Sequence, residues 1–224
     1  MAREALAARL RETDLYVVIT ESFCAGRSSL QTLERCLEAG VRIVQLREKR
    51  LADGALFDLA CHWRARTREA NALFIVDDRV DIALAAAADG VHLGCGDLPV
   101  AAARRIAPEL IIGASSHNLG EALAAQDADA DYVNIGPVFP TQTKETPTGD
   151  VGPELIAAVA PHLRIPFTCM GGIKLDNVDL VLKQGAQIVA VVTAVTAATD
   201  QCAAARALRT RIIGGRRVTP TQQG

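Results

Sequence analysis

The chain has 224 residues, 50% of them hydrophobic, and a formal net charge of −2. This length and apolar content allow one large or two small globular domains. The balanced charge argues against a nucleic-acid partner that is held mainly through phosphate contacts. An aromatic content of 4% also argues against stacking platforms for single strands.

The cysteines and the N-terminal segment carry information about the compartment. The six cysteines are scattered without a CxxC motif, which indicates neither a disulfide framework nor a structural zinc site. Residues 1–14 mix basic and acidic side chains and lack the apolar core of a signal peptide. No apolar run reaches the ~18 residues that a membrane-spanning helix needs. We therefore expect a cytoplasmic protein without a membrane partner.

Short, almost entirely apolar runs alternate with Ala-, Leu-, Glu- and Arg-rich segments along the chain, as parallel strands covered on both faces alternate with helices. The predicted strands are 15–19, 41–46, 73–76, 90–93, 111–114, 132–135, 166–170 and 187–192. The predicted helices between them include 28–39, 53–70, 100–107, 119–128 and 176–184.

Eight strand–helix units predict an α/β fold, a single-domain (β/α)8 TIM barrel over residues 1–212 with an N-terminal helical extension. An open doubly wound sheet is the alternative. The segments ADGVHLG and ADYVNIG echo each other, as repeated units of a barrel would. Residues 213–224 have no apolar period, and we expect them to form a flexible C-terminal tail.

Polar residues gather directly after the predicted strands, where barrel enzymes build their sites. After the second strand, Gln45, Arg47 and Lys49 alternate along the chain and so point to one face of an extended segment. Two cations and an amide on one face predict an anion clamp, because arginine offers a bidentate fork and lysine a point charge. The alternative is a solvated strand end in which both cations pair with Glu48.

Three aspartates follow the third and fourth strands, namely Asp77, Asp78 and Asp97. Carboxylates from neighbouring loops can share one hard cation, and Mg²⁺ commonly takes one or two carboxylates together with substrate phosphate oxygens. Asp78 and Asp97 are therefore candidate metal ligands. The alternative for each is a helix N-cap, which is a frequent use of aspartate.

The last two strands are followed by residues that suit a phosphate. Gly171 and Gly172 come after the seventh strand and Thr193 after the eighth. Backbone N–H groups in these two loops form the usual phosphate cup of barrels. A glycine pair alone is a weak signal, because turns need glycine in any case.

The loop after the sixth strand, GPVFPTQTK, is long and polar. The hydroxyls of Thr141 and Thr143 and the ammonium group of Lys144 can hold anionic oxygens, although the loop is also typical of a turn-rich surface segment. We expect His117 to bond the backbone at a helix start and His92 to be a hydrogen-bonded residue of the barrel. Two anion sites and a cation predict a transferase that joins a diphosphate-activated fragment to a phosphorylated acceptor. Hydrolase or isomerase chemistry on one phosphorylated substrate stays open.

Six motifs occur together in a fixed order. They are QLREK at 45–49, DDRVD at 77–81, ADGVHLGCGDLP at 88–99, GPVFPTQTK at 136–144, MGGI at 170–173 and VVTAV at 191–195. In this order the chain resembles the thiamine-phosphate synthase family, from about residue 15 to about residue 200. The resemblance implies a barrel that condenses 4-amino-2-methyl-5-hydroxymethylpyrimidine diphosphate with a thiazole phosphate, in thiamine biosynthesis, and releases pyrophosphate. It also implies Mg²⁺ and a dissociative reaction, in which a pyrimidine methyl cation is captured by the thiazole nitrogen.

The resemblance implies a role for residues in each motif. The pyrimidine diphosphate would contact Gln45, Arg47, Glu48, Lys49, Asp77, Ser115 and Lys144. Ser115 and Lys144 would be the catalytic residues. The thiazole phosphate would contact Thr141, Gln142, Thr143, Gly171, Gly172, Val192 and Thr193. Asp78 and Asp97 would bind Mg²⁺.

Three positions depart from the family pattern, which usually has asparagine at Asp77, glutamine at Cys95 and serine at Thr193. The extra charge of Asp77 is expected to weaken contact with the pyrimidine or to shift the metal. Cys95 is expected to lose a hydrogen bond at the rim, whereas Thr193 keeps the hydroxyl group.

Related thiazole tautomerases and regulatory homologues share the barrel and the phosphate cup, with a histidine near Ser115–His117 as the proton carrier. These relatives typically lack the complete diphosphate clamp, so the motifs favour a synthase. A phosphate-ligand sensor without turnover is the non-enzymatic alternative. We expect phosphorylated small molecules as partners and no nucleic acid, and the sequence leaves open whether the barrel forms a homodimer.

Overall fold

A computed structural model describes residues 3–141, 143 and 149–216. The strands are β1 (Leu15–Ile19), β2 (Ile43–Leu46), β3 (Leu73–Asp77), β4 (Gly90–Leu93), β5 (Ile111–Ser116), β6 (Tyr132–Ile135), β7 (Phe167–Cys169) and β8 (Ile188–Val191). The helices are α1 (Arg3–Arg11), α2 (Ser29–Glu38), α3 (Asp53–Glu69), α4 (Val80–Ala85), α5 (Val100–Ile106), α6 (Leu119–Asp127), α7 (Glu154–Val159), α8 (Val178–Lys183), α9 (Thr193–Thr196) and α10 (Gln201–Arg216).

The eight strands are parallel and form a closed barrel in chain order, in which β8 pairs with β1. The predicted (β/α)8 barrel is therefore confirmed, and the doubly wound alternative is wrong. Every predicted strand is present, and no bound differs from the observed one by more than two residues. Strand prediction succeeded here because each strand is a short apolar run buried on both faces.

The end of the chain differs from the prediction. Helix α10 continues to Arg216 and so includes four residues that we had assigned to the C-terminal tail. Its buried residues Ala205, Leu208 and Ile212 recur every three or four positions, and this stripe packs on the barrel. The guanidinium group of Arg216 donates to the carbonyl oxygens of Thr13 and Gln187. Residues 217–224 lie outside the described part of the chain.

Apolar side chains form two layers. The outer layer lies between strands and helices and contains large buried residues such as Trp63 and Phe74. The inner layer fills the barrel and includes Tyr16 and Tyr132. Helix α1 belongs to the inner layer, because its residues Leu6 and Leu10, one turn apart, are buried against the barrel interior. The N-terminal end of the barrel is thereby closed, and the opposite end carries the cavity.

The echo between ADGVHLG and ADYVNIG has a structural reason. In both segments the aspartate directly precedes a strand and is buried. The carboxylate of Asp89 accepts hydrogen bonds from the backbone N–H of Phe74 and from Arg64, at 2.8 and 2.7 Å. Asp131 has the same pair of partner types, one strand N–H and an arginine. None of the helices in the described ranges is long and apolar enough to cross a membrane.

Candidate active site

A cavity opens at the C-terminal ends of the strands and collects nearly all of the predicted site residues that the structure describes. Those that line it are Gln45, Arg47, Lys49, Asp77, Asp78, Asp97, Ser115, Thr141, Thr143, Gly171, Gly172, Val192 and Thr193. Gln142 and Lys144 lie outside the described residues. The substrate roles of all these residues stay predictions, but their convergence in one cavity is a property of the fold.

The alternation of Gln45, Arg47 and Lys49 places all three side chains at the cavity. Gln45 is buried and donates from Nε2 to the hydroxyl of Tyr16 at 2.7 Å. Arg47 Nε and Lys49 Nζ lie 3.5 and 3.1 Å from Asp77 Oδ2. The clamp therefore exists as a geometric unit, and a carboxylate already lies between its two cations.

Glu48 points away from the cavity, contrary to its expected contact with the pyrimidine diphosphate. Its carboxylate accepts a hydrogen bond of 2.6 Å from the backbone N–H of Glu21. Burial raises the pKa of the Glu48 carboxyl. The physical reason is the strand period, since a residue between Arg47 and Lys49 must face the opposite side. The same geometry contradicts the alternative in which Arg47 and Lys49 pair with Glu48.

Asp77 and Asp78 stand at the end of β3 with different surroundings. Burial raises the pKa of the Asp77 carboxyl, although Lys49 and Arg47 act in the opposite direction. Asp78 has a φ of +58°, a left-handed conformation that is uncommon outside glycine and is often found at functional sites. Its side chain forms an ion pair with Lys49. Asp78 is not a helix cap, because the N-cap residue of α4 is Arg79.

Asp97 accepts a hydrogen bond of 2.7 Å from the backbone N–H of Gly94. The pKa of its carboxyl is raised, first by burial and then by a hydrogen bond with Asp78. Asp97 is not the N-cap of α5, which is Pro99. Two neighbouring carboxyl groups share either a proton or a cation, and Lys49 already brings one positive charge to Asp78. The residue pair therefore fits a hard divalent cation in its oxygen ligands and its charge.

Ser115 and the histidines are connected by side-chain hydrogen bonds. His92 contacts Tyr132 Oη through Nδ1 and Ser115 Oγ through Nε2, both at 3.1 Å, so the expectation of a hydrogen-bonded barrel residue is confirmed. The expectation for His117 is wrong in detail. Its imidazole Nδ1 contacts the carboxylate of Glu121 at 2.8 Å rather than the backbone.

Cys95 joins His117 and Glu121 in a group that sequence spacing did not predict. Its sulfur lies 3.6 Å from His117 Nδ1 and 3.8 Å from Glu121 Oε2. The three residues come from the β4–α5 loop, the end of β5 and helix α6, so only the barrel brings them together. Hydrogen bonds account for these contacts without a metal ion.

The loops after β6, β7 and β8 pack closely at the other side of the cavity. Gly171 and Gly172 have φ values of +104° and +62°. A Cβ atom on Gly171 would lie 2.4 Å from Pro137 Cβ, and one on Gly172 would lie 2.5 Å from the carbonyl oxygen of Pro140. Both positions therefore require glycine for conformation and for close approach. Thr193 begins the short helix α9, which is the arrangement of the phosphate cup in many barrels.

Thr141 and Thr143 lie next to this cup, and their hydroxyl oxygens are 3.0 Å apart. The sequence missed some lining residues, among them Asn134 on β6 and Lys174 after the glycine pair. Lys174 was detectable as a cation two residues beyond Gly172. Asn134 was not, because a polar residue inside an apolar strand gives no indication of which face it occupies.

Comparison with known proteins agrees with this geometry. Residues 15–195 match the family model described as thiamine monophosphate synthase. A thiamine-phosphate synthase of Chloroflexus aurantiacus is 44% identical over 195 residues, which cover 87% of this chain and 90% of that protein. One from Methanospirillum hungatei is 44% identical over 193 residues, covering 86% and 94%.

Among solved structures, thiamine phosphate pyrophosphorylase from Pyrococcus furiosus superposes with a TM-score of 0.85 at 39% identity. The superposition covers 92% of this chain and 98% of that one. The chain thus matches these relatives in sequence and in fold along nearly their whole length. The chain belongs to the thiamine monophosphate synthase family.

Proposed function

We propose that this protein condenses 4-amino-2-methyl-5-hydroxymethylpyrimidine diphosphate with a thiazole phosphate and forms thiamine phosphate and pyrophosphate. The observation that carries the proposal is a single cavity lined by two groups of residues that each suit an anion. Arg47 and Lys49 are the candidate first site, and Gly171, Gly172 and Thr193 are the candidate second site. A thiazole tautomerase acts on one phosphorylated substrate and has no use for the first site.

The diphosphate binds at the cation clamp. Arg47 offers a planar guanidinium group for two oxygens, and Lys49 offers a compact charge beside it. Lys144 lies outside the described residues, and we infer from the family motif that it adds a third positive charge to the diphosphate site. In the absence of substrate, Arg47 and Lys49 form ion pairs with Asp77. The incoming diphosphate therefore replaces this carboxylate as the partner of the two cations.

Asp78 and Asp97 are the residues that would hold Mg²⁺. Their contact with each other and the raised pKa of Asp97 support this assignment, because a divalent cation relieves the repulsion between the two carboxylates. When bound, the metal neutralises negative charge on the diphosphate leaving group. The backbone N–H of Gly94 donates to the Asp97 carboxylate and so fixes its orientation before a metal binds.

The reaction requires charge stabilisation more than a protein nucleophile. Departure of pyrophosphate leaves a pyrimidine methyl cation, and the thiazole nitrogen then forms the new C–N bond. Ser115 contacts the pyrimidine, and the Gly171–Gly172 turn together with helix α9 holds the thiazole phosphate so that its nitrogen faces the cation.

We also propose that the partners of the protein are phosphorylated small molecules rather than nucleic acid, and that it works in the cytoplasm. The net charge of −2 supports the first statement, because phosphate-backbone binding requires a basic surface. Light scattering coupled to size-exclusion chromatography measures directly whether the barrel forms a homodimer.

The decisive experiment mixes the protein with Mg²⁺ and both substrates and measures thiamine phosphate and pyrophosphate by chromatography. We expect both products in equal amounts, and none when either substrate or the metal is omitted. Absence of product at saturating substrate concentrations would contradict the proposal. Isomerisation of the thiazole phosphate without condensation would instead support a tautomerase.

A further inference from the structure

Five polar side chains form a continuous hydrogen-bonded chain beneath the cavity. Gln45 Nε2 donates to Tyr16 Oη at 2.7 Å, and Tyr16 Oη lies 3.1 Å from Tyr132 Oη. Tyr132 Oη lies 3.1 Å from His92 Nδ1, and His92 Nε2 lies 3.1 Å from Ser115 Oγ. Only the end residues Gln45 and Ser115 and the linking His92 line the cavity, whereas both tyrosines lie below it. The chain therefore connects β2 to β5 through the barrel interior.

The middle of this chain is held firmly by packing. The Tyr132 ring stacks on His92 with a centroid distance of 5.6 Å and meets the Tyr16 ring edge-on at 6.3 Å. A Cβ atom on Gly113 would lie 2.1 Å from Tyr132 Cζ, so the ring occupies space that only a glycine leaves. Burial raises the pKa of both tyrosine hydroxyls, which therefore stay protonated and donate hydrogen bonds.

Such a chain has a direction. Each hydroxyl has one hydrogen to donate, and a neutral imidazole has one donor and one acceptor nitrogen. If Gln45 donates to Tyr16, the hydrogen of each member points towards Ser115, which then offers its own hydrogen to the cavity. If the direction is reversed, Ser115 offers a lone pair and Gln45 offers its amide N–H. In the first case Ser115 offers a donor and Gln45 offers Oε1 as an acceptor, and in the second case the two roles are exchanged.

We propose that this hydrogen-bonded chain selects the 4-aminopyrimidine ring, with Tyr16, Tyr132 and His92 as positioning residues that set the donor and acceptor at its two ends. The inference rests on the proposed function. The ring of that substrate carries an amino donor at C4 and an acceptor nitrogen, N1, on its opposite edge. A pocket that offers one acceptor and one donor from different strands matches this pattern, because an unmatched polar group in a buried pocket is costly.

The first test is Tyr132→Phe, which removes the central hydroxyl and keeps the ring. We expect the KM for pyrimidine diphosphate to rise about tenfold, since the donor and acceptor are no longer set, and the KM for the thiazole phosphate to stay unchanged. Thr67→Val is the matched control, because it also removes a buried hydroxyl, one that donates to the carbonyl oxygen of Trp63, and Thr67 does not line the cavity. The control is expected to lower the melting temperature without changing either KM.

The second test asks whether the tyrosines act through one chain. Tyr16→Phe breaks the chain between Gln45 and Tyr132, so the double variant Tyr16→Phe/Tyr132→Phe should raise the KM for pyrimidine diphosphate no more than the larger single effect. Independent contributions of the two hydroxyls would multiply the single effects and would overturn the proposal.

The third test needs no turnover and so separates this proposal from the proposed activity. In protein labelled with ¹⁵N-histidine, the ring nitrogens of His92 should show one tautomer, and Tyr132→Phe should give a mixture of two. The His92 signals are identified by their loss in His92→Gln. If the protein makes no thiamine phosphate but shows this change, the hydrogen-bonded chain is supported and the proposed function is contradicted. An unchanged His92 spectrum, or an unchanged KM in an active Tyr132→Phe enzyme, overturns the inference.

Discussion

Aspartates stand at both ends of the barrel, but their surroundings differ. Three directly precede strands at the N-terminal end, and three lie at the last residue of a strand or in the loop after it at the C-terminal end. The first set is Asp14, Asp89 and Asp131, and the second set is Asp77, Asp78 and Asp97. Each carboxylate of the first set is buried and accepts hydrogen bonds from an arginine and from a backbone N–H. The second set shares its cationic partners or contacts another carboxyl group.

Asp131 shows what complete pairing achieves. It accepts from Arg3 at 2.7 Å, from Arg104 at 2.6 Å and from the backbone N–H of Ile112 at 2.8 Å. These bonds tie helices α1 and α5 to the start of β5 and β6. At the N-terminal end, this carboxylate therefore has both cationic and backbone partners.

The C-terminal end has the opposite arrangement. The pKa values of Asp77 and Asp97 are raised because burial disfavours their charge, and Asp78 adopts a left-handed backbone. Buried carboxylates with raised pKa values and left-handed backbone at a residue other than glycine lower stability, and they are concentrated at ligand-binding sites. Incomplete pairing, rather than the presence of acidic residues, therefore distinguishes the functional end of this barrel.

The largest expected effect tests the N-terminal set. Asp131→Ala should lower the free energy of unfolding by about 3 kcal/mol, because it leaves a buried strand N–H without its acceptor and removes one of the two carboxylates that pair with the part-buried Arg3 and Arg104. Urea unfolding followed by circular dichroism measures this loss, and the turnover of the folded fraction should stay unchanged. The control is Asp127→Ala, which removes a largely exposed pair with Arg164 and should cost less than about 1 kcal/mol. An equal loss of unfolding free energy in both variants would contradict the idea that the pairing of Asp131 stabilises this end of the barrel.

The next prediction concerns the clamp at the C-terminal end. Arg47→Ala should lower kcat/KM for the pyrimidine diphosphate about 100-fold, because a guanidinium contact to the leaving diphosphate is lost. Steady-state kinetics measures the change. Its neighbour Arg50 is exposed and does not line the cavity, so Arg50→Ala is the control and should keep kcat/KM. A loss of similar size in Arg50→Ala would show that general surface charge, not the clamp, attracts the substrate.

A smaller effect tests the metal assignment. Asp97→Ala should raise the Mg²⁺ concentration for half-maximal activity at least about tenfold, since one of two carboxylate ligands is removed. A Mg²⁺ titration of the turnover rate measures this. Asp81→Ala removes an aspartate that pairs with Arg79 and lies outside the cavity lining, so its Mg²⁺ dependence should match that of the unaltered protein. Unchanged dependence in Asp97→Ala would remove Asp97 from the ligand set.

The smallest effect concerns the departure at position 77. Asp77→Asn should lower the KM for the pyrimidine diphosphate about two- to fivefold, because the carboxylate no longer competes for Lys49 and Arg47. Steady-state kinetics with varied pyrimidine diphosphate measures the change. A higher KM in the asparagine variant would show that the carboxylate helps to bind the substrate.

The same variant tests the raised pKa of Asp77. A carboxyl whose pKa is raised by folding holds its proton more tightly in the folded state, so its contribution to stability falls as pH rises above the ordinary aspartate value of about 3.9. Asp77→Asn should therefore melt at a higher temperature than the unaltered protein at neutral pH. The difference should vanish in scanning calorimetry below about pH 4.

Much of the fold was readable from local patterns. Short apolar runs identified every strand of the barrel, because both faces of each strand are buried and the signal does not depend on tertiary contacts. The two-residue period also placed Arg47 and Lys49 on one face. The same period should have excluded Glu48, and the family motif that includes it led to the wrong placement. The tail was predicted to begin at residue 213 because residues 213–224 have no apolar period, whereas helix α10 continues to Arg216, which donates to carbonyl oxygens of Thr13 and Gln187.

Local sequence patterns were sufficient to predict the set of strands, the clustering of polar residues after them and the family. The partner of each polar side chain was decided only by the closed barrel. Cys95 meets His117 and Glu121, Asp78 meets Lys49 rather than capping a helix, and Gln45 reaches Ser115 through three buried residues. The physical reason is that hydrogen bonds and ion pairs act over a few ångströms between residues distant in sequence. Their geometry does not exist until β1 and β8 have closed the barrel.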